Sequence, residues 1–383
     1  MEYRCLGKTG LQVSEIGFGG EWLERHEAGE SVALVKYAHS RGINIIDCWM
    51  PDPKSRDIIG QAIAEDRAGW VVQGHIGSTY QNGQYTRTRD AQQCRIAFED
   101  LLARLKTDYI DLGMIHYVDR EDDWDIVSRP GPYLDYVREL KSLGKIRHIG
   151  LSTHNPVIAV KAAESGWVEM IMFSVNPAFD LMPPTDNIEH YFADTYAEGL
   201  NGVDPVRARM YRICEQHHVG ITCMKPYAGG RLFDAKRSPF GVALTPVQCI
   251  HYALTKPGVA SVLCGYDTTA QVDAAVAYET VPDHEKDYAA VLAGAPQHTF
   301  AGGECTYCGH CKPCPADIDI AMVNKLYDLA VMQPEVPASL REHYLSLQHH
   351  AGECIGCRSC ESRCPFGVKV ADGMARTAAL FGK

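Results

Sequence analysis

The sequence predicts an α/β protein, a (β/α)8 TIM barrel followed by a small C-terminal α-helical domain. Eight short apolar runs alternate with eight helical stretches over the first 280 residues. The runs are apolar at nearly every position, as expected for parallel strands covered on both faces. After about residue 280 the alternation ends, and eight of the fifteen cysteines lie in the remaining segment. The chain therefore divides into a barrel and a cysteine-rich domain.

Each half of the alternation can be placed on the sequence. The predicted strands lie at 14–20, 43–48, 70–75, 110–116, 148–152, 170–175, 220–225 and 261–265. The predicted helices lie at 31–40, 55–65, 91–106, 131–143, 156–165, 205–217, 245–254 and 269–279. Eight such units favour a closed barrel over a doubly wound open sheet, which usually has fewer strands.

The sequence predicts a separate structure for each of three further segments. Residues 3–13, with Gly7 and Gly10 as turn signals, predict a hairpin that closes the bottom of the barrel. Residues 177–204 predict a long loop on the face where the strands end, either a lid or a docking surface. We expect the barrel at 1–280, a linker or helix at 281–295 and a second domain at 296–383, with a helix over 318–332.

Composition excludes several classes of protein. The formal net charge is −11 and no cluster of Lys and Arg stands out, so nucleic-acid binding is not expected. The longest stretch without a charged residue, about 238–255, contains two prolines and is a poor membrane span. The first residues, MEYRCLGKTG, lack the apolar region of an export signal. We therefore expect a cytoplasmic enzyme in a reducing, anaerobic setting.

The cysteines of the tail form two motifs. Both motifs end in Cys-Pro, and their eight cysteines are Cys305, Cys308, Cys311, Cys314, Cys354, Cys357, Cys360 and Cys364. Three cysteines at two-residue gaps suit three corners of a cubane cluster, and the Cys-Pro thiol reaches the other cluster. This spacing predicts two [4Fe–4S] clusters, with Cys314 and Cys364 exchanged between the motifs. The first motif departs from the usual pattern, since only two residues precede its fourth cysteine.

Zinc knuckles and disulfides are the alternatives for these cysteines. Zinc sites usually take their ligands as two separated pairs, and disulfide-rich proteins are usually short and exported. About forty residues with a helix separate the two motifs. The arrangement resembles the α-helical two-cluster ferredoxin module. The seven cysteines outside the motifs are interpreted as buried apolar residues.

Polar side chains converge at the predicted ends of neighbouring strands. Asp47 ends the second strand, His75 the third and His116 the fourth. A single buried histidine is usually a hydrogen-bonded core residue. Three ionisable groups on one rim favour a catalytic cleft instead.

Several motifs resemble the aldo/keto reductase family, specifically its iron–sulfur-containing members. They are IGFGG at the first strand, the spacing from Asp47 to Gly60, DLGMIHY, GLSTHN, CMKPYAGGRL and PGVASVLCG. The resemblance covers nearly the whole chain. It implies a TIM barrel whose members reduce carbonyls with NAD(P)H.

The family has a catalytic tetrad of Asp, Tyr, Lys and His, and this chain carries the family's residue at two of the four positions. The resemblance places Asp47 and His116 at the Asp and His positions. Asp52 stands at the tyrosine position and His75 at the lysine position. We expect His116 to donate a proton or hydrogen bond to the substrate oxygen, with Asp47 and His75 as supporting acid–base groups. Tyr80 and Tyr117 do not match the motif.

At the positions where the resemblance implies cofactor contacts, this chain keeps some of the family's residues and replaces others. Met172 and Met224 replace the glutamine and the aromatic residue that contact nicotinamide, and no basic residue follows the eighth strand at 265–269. The remaining candidate positions for a nicotinamide cofactor are Gly20, Ser152, Lys225, Gly229, Gly230, Arg231 and Gly265. An NAD(P)H site is therefore an open expectation, without a preference for the 2′-phosphate.

The sequence leaves three functions open. The leading hypothesis is an oxidoreductase that acts on a small carbonyl, hydroxy or unsaturated substrate and passes single electrons through two [4Fe–4S] clusters, to the barrel site or to a redox partner protein. The second is an ordinary NAD(P)H-dependent reductase with structural clusters. The third is an inactive barrel that serves as an electron-carrier subunit.

Overall fold

A closed parallel barrel forms the larger part of the molecule. The computed structural model describes residues 1–21, 23–193, 196–197, 199–300 and 303–383. The strands, in chain order, are β1 (Tyr3–Cys5), β2 (Gln12–Ser14), β3 (Ile16–Gly19), β4 (Ile45–Cys48), β5 (Val71–Ile76), β6 (Ser78–Gln81), β7 (Gln84–Arg87), β8 (Ile110–Ile115), β9 (Ile146–Thr153), β10 (Met170–Ser174), β11 (Gly220–Met224) and β12 (Val259–Gly265).

Helices surround the barrel and build the C-terminal module. They are α1 (Ala28–Ser40), α2 (Pro53–Ile63), α3 (Ala91–Leu105), α4 (Glu121–Ser128), α5 (Pro132–Ser142), α6 (Pro156–Glu164), α7 (Pro177–Asp180), α8 (Pro205–Gln216), α9 (Pro246–Leu254), α10 (Thr269–Val276), α11 (Tyr288–Ala293), α12 (Ile320–Ala330), α13 (Ala338–Leu345), α14 (Ser359–Arg363) and α15 (Val370–Phe381). None of the described helices is long and apolar enough to cross a membrane.

The eight barrel strands follow one another in chain order around the cylinder. Their order is β3, β4, β5, β8, β9, β10, β11 and β12, and β12 pairs with β3 to close the ring. All eight pairings are parallel, so all eight carboxyl ends meet at one rim. The predicted TIM barrel is confirmed. Seven of the connections around the ring carry helices on its outside, as the sequence pattern indicates.

Two small hairpins accompany the barrel. The predicted N-terminal hairpin forms from β1 and β2, which pair antiparallel. The second hairpin, β6–β7, follows β5 and was not expected from the sequence. Its turn is Asn82-Gly83, and both residues have positive φ angles of 51° and 78°. Such angles are typical of a two-residue type I′ turn, for which Asn-Gly is the preferred sequence.

The segment at 177–204 is only partly a loop. Its described parts include α7 and a 3-10 turn at Ile188–Phe192. Tyr191 is buried and stacks on Phe179 at a ring distance of 5.1 Å. The carbonyl of Leu200 accepts a hydrogen bond from the ring of His298 at 2.7 Å. Residues 194, 195 and 198 of this predicted lid lie outside the described residues.

The C-terminal module has a core of its own and a seam with the barrel. Its core is formed by α12, α13 and α15, with Val323 and Tyr344 fully buried. Lys325 on α12 pairs with Glu215 on α8 at 2.5 Å. Phe300 packs between Phe240 of the barrel and Phe366 of the module, at ring distances of 5.8 and 6.3 Å. The module therefore packs against α8, α9 and the loop between β11 and α9.

The segment expected as a linker at 281–295 is firmly packed. Tyr288, Ala289 and Leu292 of α11 are fully buried and belong to the core that surrounds the barrel. Since this helix packs on the barrel, the segment extends the barrel rather than separating the two domains.

Gly60 allows α2 and α3 to approach closely. A Cβ atom at position 60 would lie 2.0 Å from the carbonyl oxygen of Arg104. We predict that Gly60→Ala lowers the free energy of unfolding by about 1–3 kcal/mol, the usual cost of overpacking. Urea denaturation measures this change.

Gly29→Ala is the matched control for this substitution. Gly29 also lies in a helix, α1, but a Cβ atom there would have nothing within 4 Å. The free energy of unfolding should rise by about 0.5–1 kcal/mol, since alanine loses less conformational entropy in a helix. Equal effects of the two substitutions would show that the close approach of α2 and α3 is not what requires glycine.

Candidate active site

Four side chains at the barrel mouth form one hydrogen-bonded chain. Asp47 and His75 each lie one residue before the end of their strands, β4 and β5, His116 follows β8 and Tyr85 lies on β7. His75 Nε2 is 3.0 Å from Asp47 Oδ1, and His75 Nδ1 is 2.8 Å from His116 Nδ1. His116 Nε2 is 2.8 Å from the Tyr85 hydroxyl. The structure thus brings together the three ionisable groups of the predicted rim and adds a tyrosine.

The first three members of this chain are almost completely buried. Asp47 is 1 % exposed, His75 3 % and His116 5 %, whereas Tyr85 is 38 % exposed. Gln73, two residues before His75 on β5, donates from Nε2 to the same Asp47 oxygen at 3.1 Å. Residues two apart on a strand face the same side, which explains why both reach Asp47. Only the tyrosine end of the chain is open to solvent.

The proton positions follow from the partners. An ionised Asp47 can only accept, so His75 donates from Nε2. The bond between the two Nδ1 atoms then has two solutions. In the first, Tyr85 donates to His116 and His116 donates to a neutral His75. In the second, a protonated His75 donates to His116 and His116 donates to Tyr85. These two states differ by one proton, which is stored on His75 beside Asp47.

Burial sets the charge states along the chain. The pKa of His116 lies well below its usual range because burial penalises the charged ring and His75 lies beside it. His116 is therefore neutral, as both proton arrangements require. Burial also raises the pKa of Tyr85 to about 12, so its hydroxyl keeps its proton at neutral pH.

Arginines fix the hairpin that carries Tyr85. Arg87 Nη1 donates to the carbonyl of Tyr117 at 2.7 Å. Arg89 Nη2 donates to the carbonyl of His116 at 2.7 Å and pairs with Asp123. The hairpin is thereby fastened to the main chain that follows β8, next to the ring that Tyr85 contacts.

The family of the chain follows from comparison with known proteins. The sequence model of the Aldo/keto reductase family matches residues 15–245, more than half of the chain. The chain belongs to the aldo/keto reductase family. The cysteine motifs of the tail lie beyond the matched residues.

Individual relatives are distant. The uncharacterized oxidoreductase YqkF of Bacillus subtilis is 26% identical over 286 residues, which span 71% of this chain and 89% of the relative. L-galactose dehydrogenase of Arabidopsis thaliana is 26% identical over 303 residues, 73% of this chain and 88% of that protein. The aldo-keto reductase AKR11C1 of Bacillus halodurans shares the fold, with a TM-score of 0.58, 20% identity and coverage of 78% and 98%.

Asp52, which stands at the tyrosine position of aldo/keto reductases, is not part of the hydrogen-bonded chain of Asp47, His75, His116 and Tyr85. It is the N-cap of α2, and its Oδ1 accepts a hydrogen bond from the backbone N–H of Ser55 at 3.0 Å. The resemblance places Asp52 among the catalytic residues. In the structure its carboxylate instead accepts a hydrogen bond from a backbone N–H group in the first turn of α2.

The predicted cofactor residues are spread around the mouth, and several have structural roles. Gly20 donates its N–H to the carbonyl of Asp47 at 3.0 Å, and a Cβ there would lie 2.3 Å from that oxygen. Ser152 Oγ accepts from the N–H of Tyr117 at 2.8 Å. Gly265 ends β12 and is exposed. Gly20 and Ser152 therefore position Asp47 and the loop after His116.

The remaining predicted cofactor residues follow β11. Lys225, Gly229 and Gly230 all have positive φ angles, of 56°, 65° and 82°. Arg231 is buried, with Nη1 3.4 Å from the carbonyl of Tyr191 and its guanidinium 5.7 Å from the ring of Tyr196. The side chain of Arg231 is thus occupied by the 177–204 segment.

A second carboxylate–histidine pair lies at the end of β9. His154 Nδ1 is 2.9 Å from Asp119 Oδ2, and the backbone N–H of His154 donates to Asp119 Oδ1 at 2.7 Å. Burial lowers the pKa of His154, while the charge and hydrogen bonds of His154 lower the pKa of Asp119 despite its burial. Tyr117 separates this pair from His116, with ring distances of 5.3 and 6.1 Å.

The cysteine motifs lie in the C-terminal module, away from the chain at the barrel mouth. Within the part of the protein that the structure describes, no three His, Cys, Asp or Glu residues are placed to hold a single metal ion.

Sequence reasoning missed Tyr85. The sequence pattern predicts no strand or helix between residues 76 and 90. Tyr80 and Tyr117, the two tyrosines weighed for a catalytic role, do not match the family motif. The available signal was YQNGQYTR, an Asn-Gly turn between two polar β-rich segments. That signal predicts the hairpin, but the contact between Tyr85 and His116 spans 31 residues and becomes visible only in the fold.

Substitution of Asp52 separates capping from catalysis. We predict that Asp52→Ala lowers the free energy of unfolding by about 0.5–2 kcal/mol, because the cap of α2 is lost. Asp52→Asn keeps the capping oxygen and should preserve both stability and turnover. Loss of turnover in Asp52→Asn with unchanged unfolding would instead place the charge of Asp52 in the reaction.

Proposed function

We propose that this aldo/keto reductase is an oxidoreductase that interconverts a hydroxyl and a carbonyl group in a small substrate. Its electrons are exchanged through two [4Fe–4S] clusters held by residues 296–383. The observation that carries the proposal is the buried chain from Asp47 through His75 to His116. A chain that stores one proton beside an open mouth suits a reaction in which a substrate oxygen gains or loses a proton.

The protein's own residues handle that proton. His116 accepts or donates at Nε2, which is the end of the histidine pair nearest the mouth. His75 takes up the proton, and Asp47 stabilises the resulting imidazolium at 3.0 Å. Histidine suits this role because one ring nitrogen can donate a hydrogen bond while the other accepts, so that a proton can pass through the ring.

A small polyhydroxylated compound is the proposed substrate class. L-galactose dehydrogenase is by its name an enzyme that acts on a sugar, and this chain covers 88% of its length. Asp47, His116 and His154 lie at or just after the carboxyl ends of β4, β8 and β9, which makes the rim of the mouth polar.

The chemistry of the eight cysteines in the tail suits two four-iron clusters, because thiolates are the ligands that such clusters take. Arg363, next to Cys364, donates to the carbonyls of Cys311 and Pro313 at 2.7 Å each. The N–H of Gly303 donates to the carbonyl of Phe366 at 2.7 Å. Residues on both sides of Cys364 thus contact the first motif and the residues just before it. This supports one cluster on Cys364 with the three cysteines Cys305, Cys308 and Cys311.

The spacing of the second motif carries the proposed second set. A second cluster would be held by Cys354, Cys357 and Cys360 with the Cys-Pro thiol of Cys314. Cys308 and Cys364 pack against the core of the barrel. Cys360 belongs to the core of the module, and Cys311, Cys314 and Cys354 pack against it, so Cys311 lies between the two proposed sets. When bound, such clusters transfer single electrons.

A cleft between the barrel and the module offers a place for a redox partner protein. It has a volume of about 910 Å³ and reaches Cys308. Its lining contains five Lys and Arg residues and three Asp residues, and two of the lysines are paired, Lys312 with Asp319 and Lys325 with Glu215. An electron carrier that docks here would approach the first motif from solvent.

The described residues give little support to a preference for NADPH. Between Gly265 and Thr269 there is no basic residue for a 2′-phosphate, and Asp267 faces His26 at 3.2 Å. Met172 and Met224 stand where the family contacts the nicotinamide, and Arg231 is occupied. Membership of the family nevertheless keeps a hydride-transferring carbonyl reductase with structural clusters as the second candidate.

The metal content tests the proposed clusters. Protein purified without oxygen should contain about eight iron atoms and matching sulfide per chain. Cys364→Ala should remove or convert one cluster, because its thiol is a ligand of the first. Iron analysis and electron paramagnetic resonance measure the loss.

Cys5→Ala is the control, since Cys5 is exposed and lies outside both motifs. It should keep the full iron content. A tail loaded with zinc and free of iron, in protein made with ample iron and without oxygen, would contradict the proposal.

His116 tests the reaction itself. His116→Ala should reduce kcat by roughly 10²–10⁴-fold, the usual contribution of a general acid or base. The assay uses any aldose, polyol or simple aldehyde that the wild type converts in a screen, with dithionite, ferricyanide or NAD(P)(H) as redox reagents. His343→Ala, at an exposed position on α13, is the control. Equal turnover of wild type and His116→Ala would refute the proposed site.

A further inference from the structure

Tyr85 is the outermost member of the hydrogen-bonded chain. Its hydroxyl is 2.8 Å from His116 Nε2, while its residue surface is 38 % exposed. Its ring meets Trp49 edge-on at 5.5 Å and His116 edge-on at 5.6 Å. Trp49 also stacks on His116 at 5.8 Å with an interplanar angle of 8°. The three rings form a wall at the mouth that turns the Tyr85 hydroxyl toward His116.

The position of Tyr85 does not depend on its hydroxyl. The hairpin has its own main-chain register, in which Tyr80 faces Tyr85. Arg87 and Arg89 fasten its end to the backbone of Tyr117 and His116. The hydroxyl is therefore available for a chemical role, because the aromatic ring and the arginines already place the strand.

The position of His116 limits what can reach it. Its Nδ1 is used by His75 and its Nε2 by Tyr85, so neither ring nitrogen is free to meet a substrate oxygen. A proton can enter or leave the chain only by passing through the Tyr85 oxygen or by displacing it.

We propose that Tyr85 is a catalytic residue, the group that contacts the substrate oxygen and exchanges a proton with it. This inference rests on the proposed function and adds the residue that connects the buried histidines to the substrate. Trp49 helps to hold Tyr85 in position, because the Trp49 ring packs against both Tyr85 and His116.

The step is the transfer of the O–H proton alone and moves no electrons within the hydrogen-bonded chain. In the direction of oxidation the C–H bond of the substrate also breaks, and its hydrogen and electrons leave by another route, as a proton to solvent with two single electrons to the clusters, or as hydride to a nicotinamide in the second candidate function. When a substrate hydroxyl is oxidised, its proton passes to the Tyr85 oxygen, and the Tyr85 proton passes to His116 Nε2. The proton on His116 Nδ1 then passes to His75 Nδ1. When a carbonyl is reduced, each transfer runs in reverse. The net change is one proton gained or lost by His75, whose charge Asp47 balances.

Burial keeps the donor in the required form. Because the pKa of Tyr85 is raised to about 12, the hydroxyl carries its proton throughout the neutral range. The low pKa of His116, caused by burial and by His75, means that this ring passes the proton on and does not hold it.

Tyr85→Phe is the test, with Tyr80→Phe as the matched control. Both residues lie on the same hairpin and are similarly exposed, at 38 % and 42 %. Tyr85→Phe should reduce kcat by roughly 10²–10⁴-fold with little change in KM. Its free energy of unfolding should fall by only about 1 kcal/mol, the usual value of one hydrogen bond. Tyr80→Phe should behave as the wild type.

A second variant separates the hydroxyl from the ring. Tyr85→His keeps an aromatic ring with a proton donor and should recover part of the turnover that Tyr85→Phe loses. Wild-type turnover in Tyr85→Phe together with a loss in Tyr85→His, which changes the shape of the ring, would mean that Tyr85 acts only through packing and would overturn the proposal.

The outcomes also separate this inference from the proposed function. Full turnover in Tyr85→Phe together with loss in His116→Ala would remove Tyr85 from the reaction and leave the proposed function standing. Full turnover in both variants would remove the whole site. Both measurements use the full-length protein, and the same substrate from the screen serves for every variant.

Discussion

The barrel mouth is organised by the burial of two histidine rings. His75 and His116 are 3 % and 5 % exposed, so their four ring nitrogens must find partners inside the protein. A buried polar group without a partner costs about 1–3 kcal/mol. Asp47 supplies one partner, the rings supply each other, and Tyr85 supplies the last. The β6–β7 hairpin and its two arginines hold that last partner in place.

The strands and the site differ in how far the sequence predicts them. The apolar runs at 110–116 and 220–225 match β8 and β11 within one residue, because a strand covered on both faces must be apolar throughout. Asp47, His75 and His116 share a rim because parallel strands end together. Tyr85 depends on a hairpin that reaches back over the mouth, and the role of Asp52 depends on the local start of α2. Neither follows from the spacing of strands.

The proposed reaction uses two sides of the barrel. The proton chain lies on the neighbouring strands β4, β5 and β8. The module with the cysteine motifs packs on α8 and α9, next to β10, β11 and β12. Protons and electrons would then reach the substrate from different walls. Met172 and Met224, which have no acid–base chemistry, lie on β10 and β11, and the Met172 sulfur is 3.7 Å from Gln73 Nε2 across the barrel.

The hydrogen bond between His75 and His116 is the centre of this account, and NMR can measure it directly. Protein labelled with ¹⁵N-histidine should show a coupling between the Nδ1 atoms of the two rings, transmitted through the shared proton. Either proton arrangement gives this coupling, since one ring always donates to the other. Tyr80→Phe should leave it unchanged, and Asp47→Ala should weaken it because His75 loses its anchor. Absence of the coupling in the folded wild-type protein would contradict the chain on which the proposed function rests.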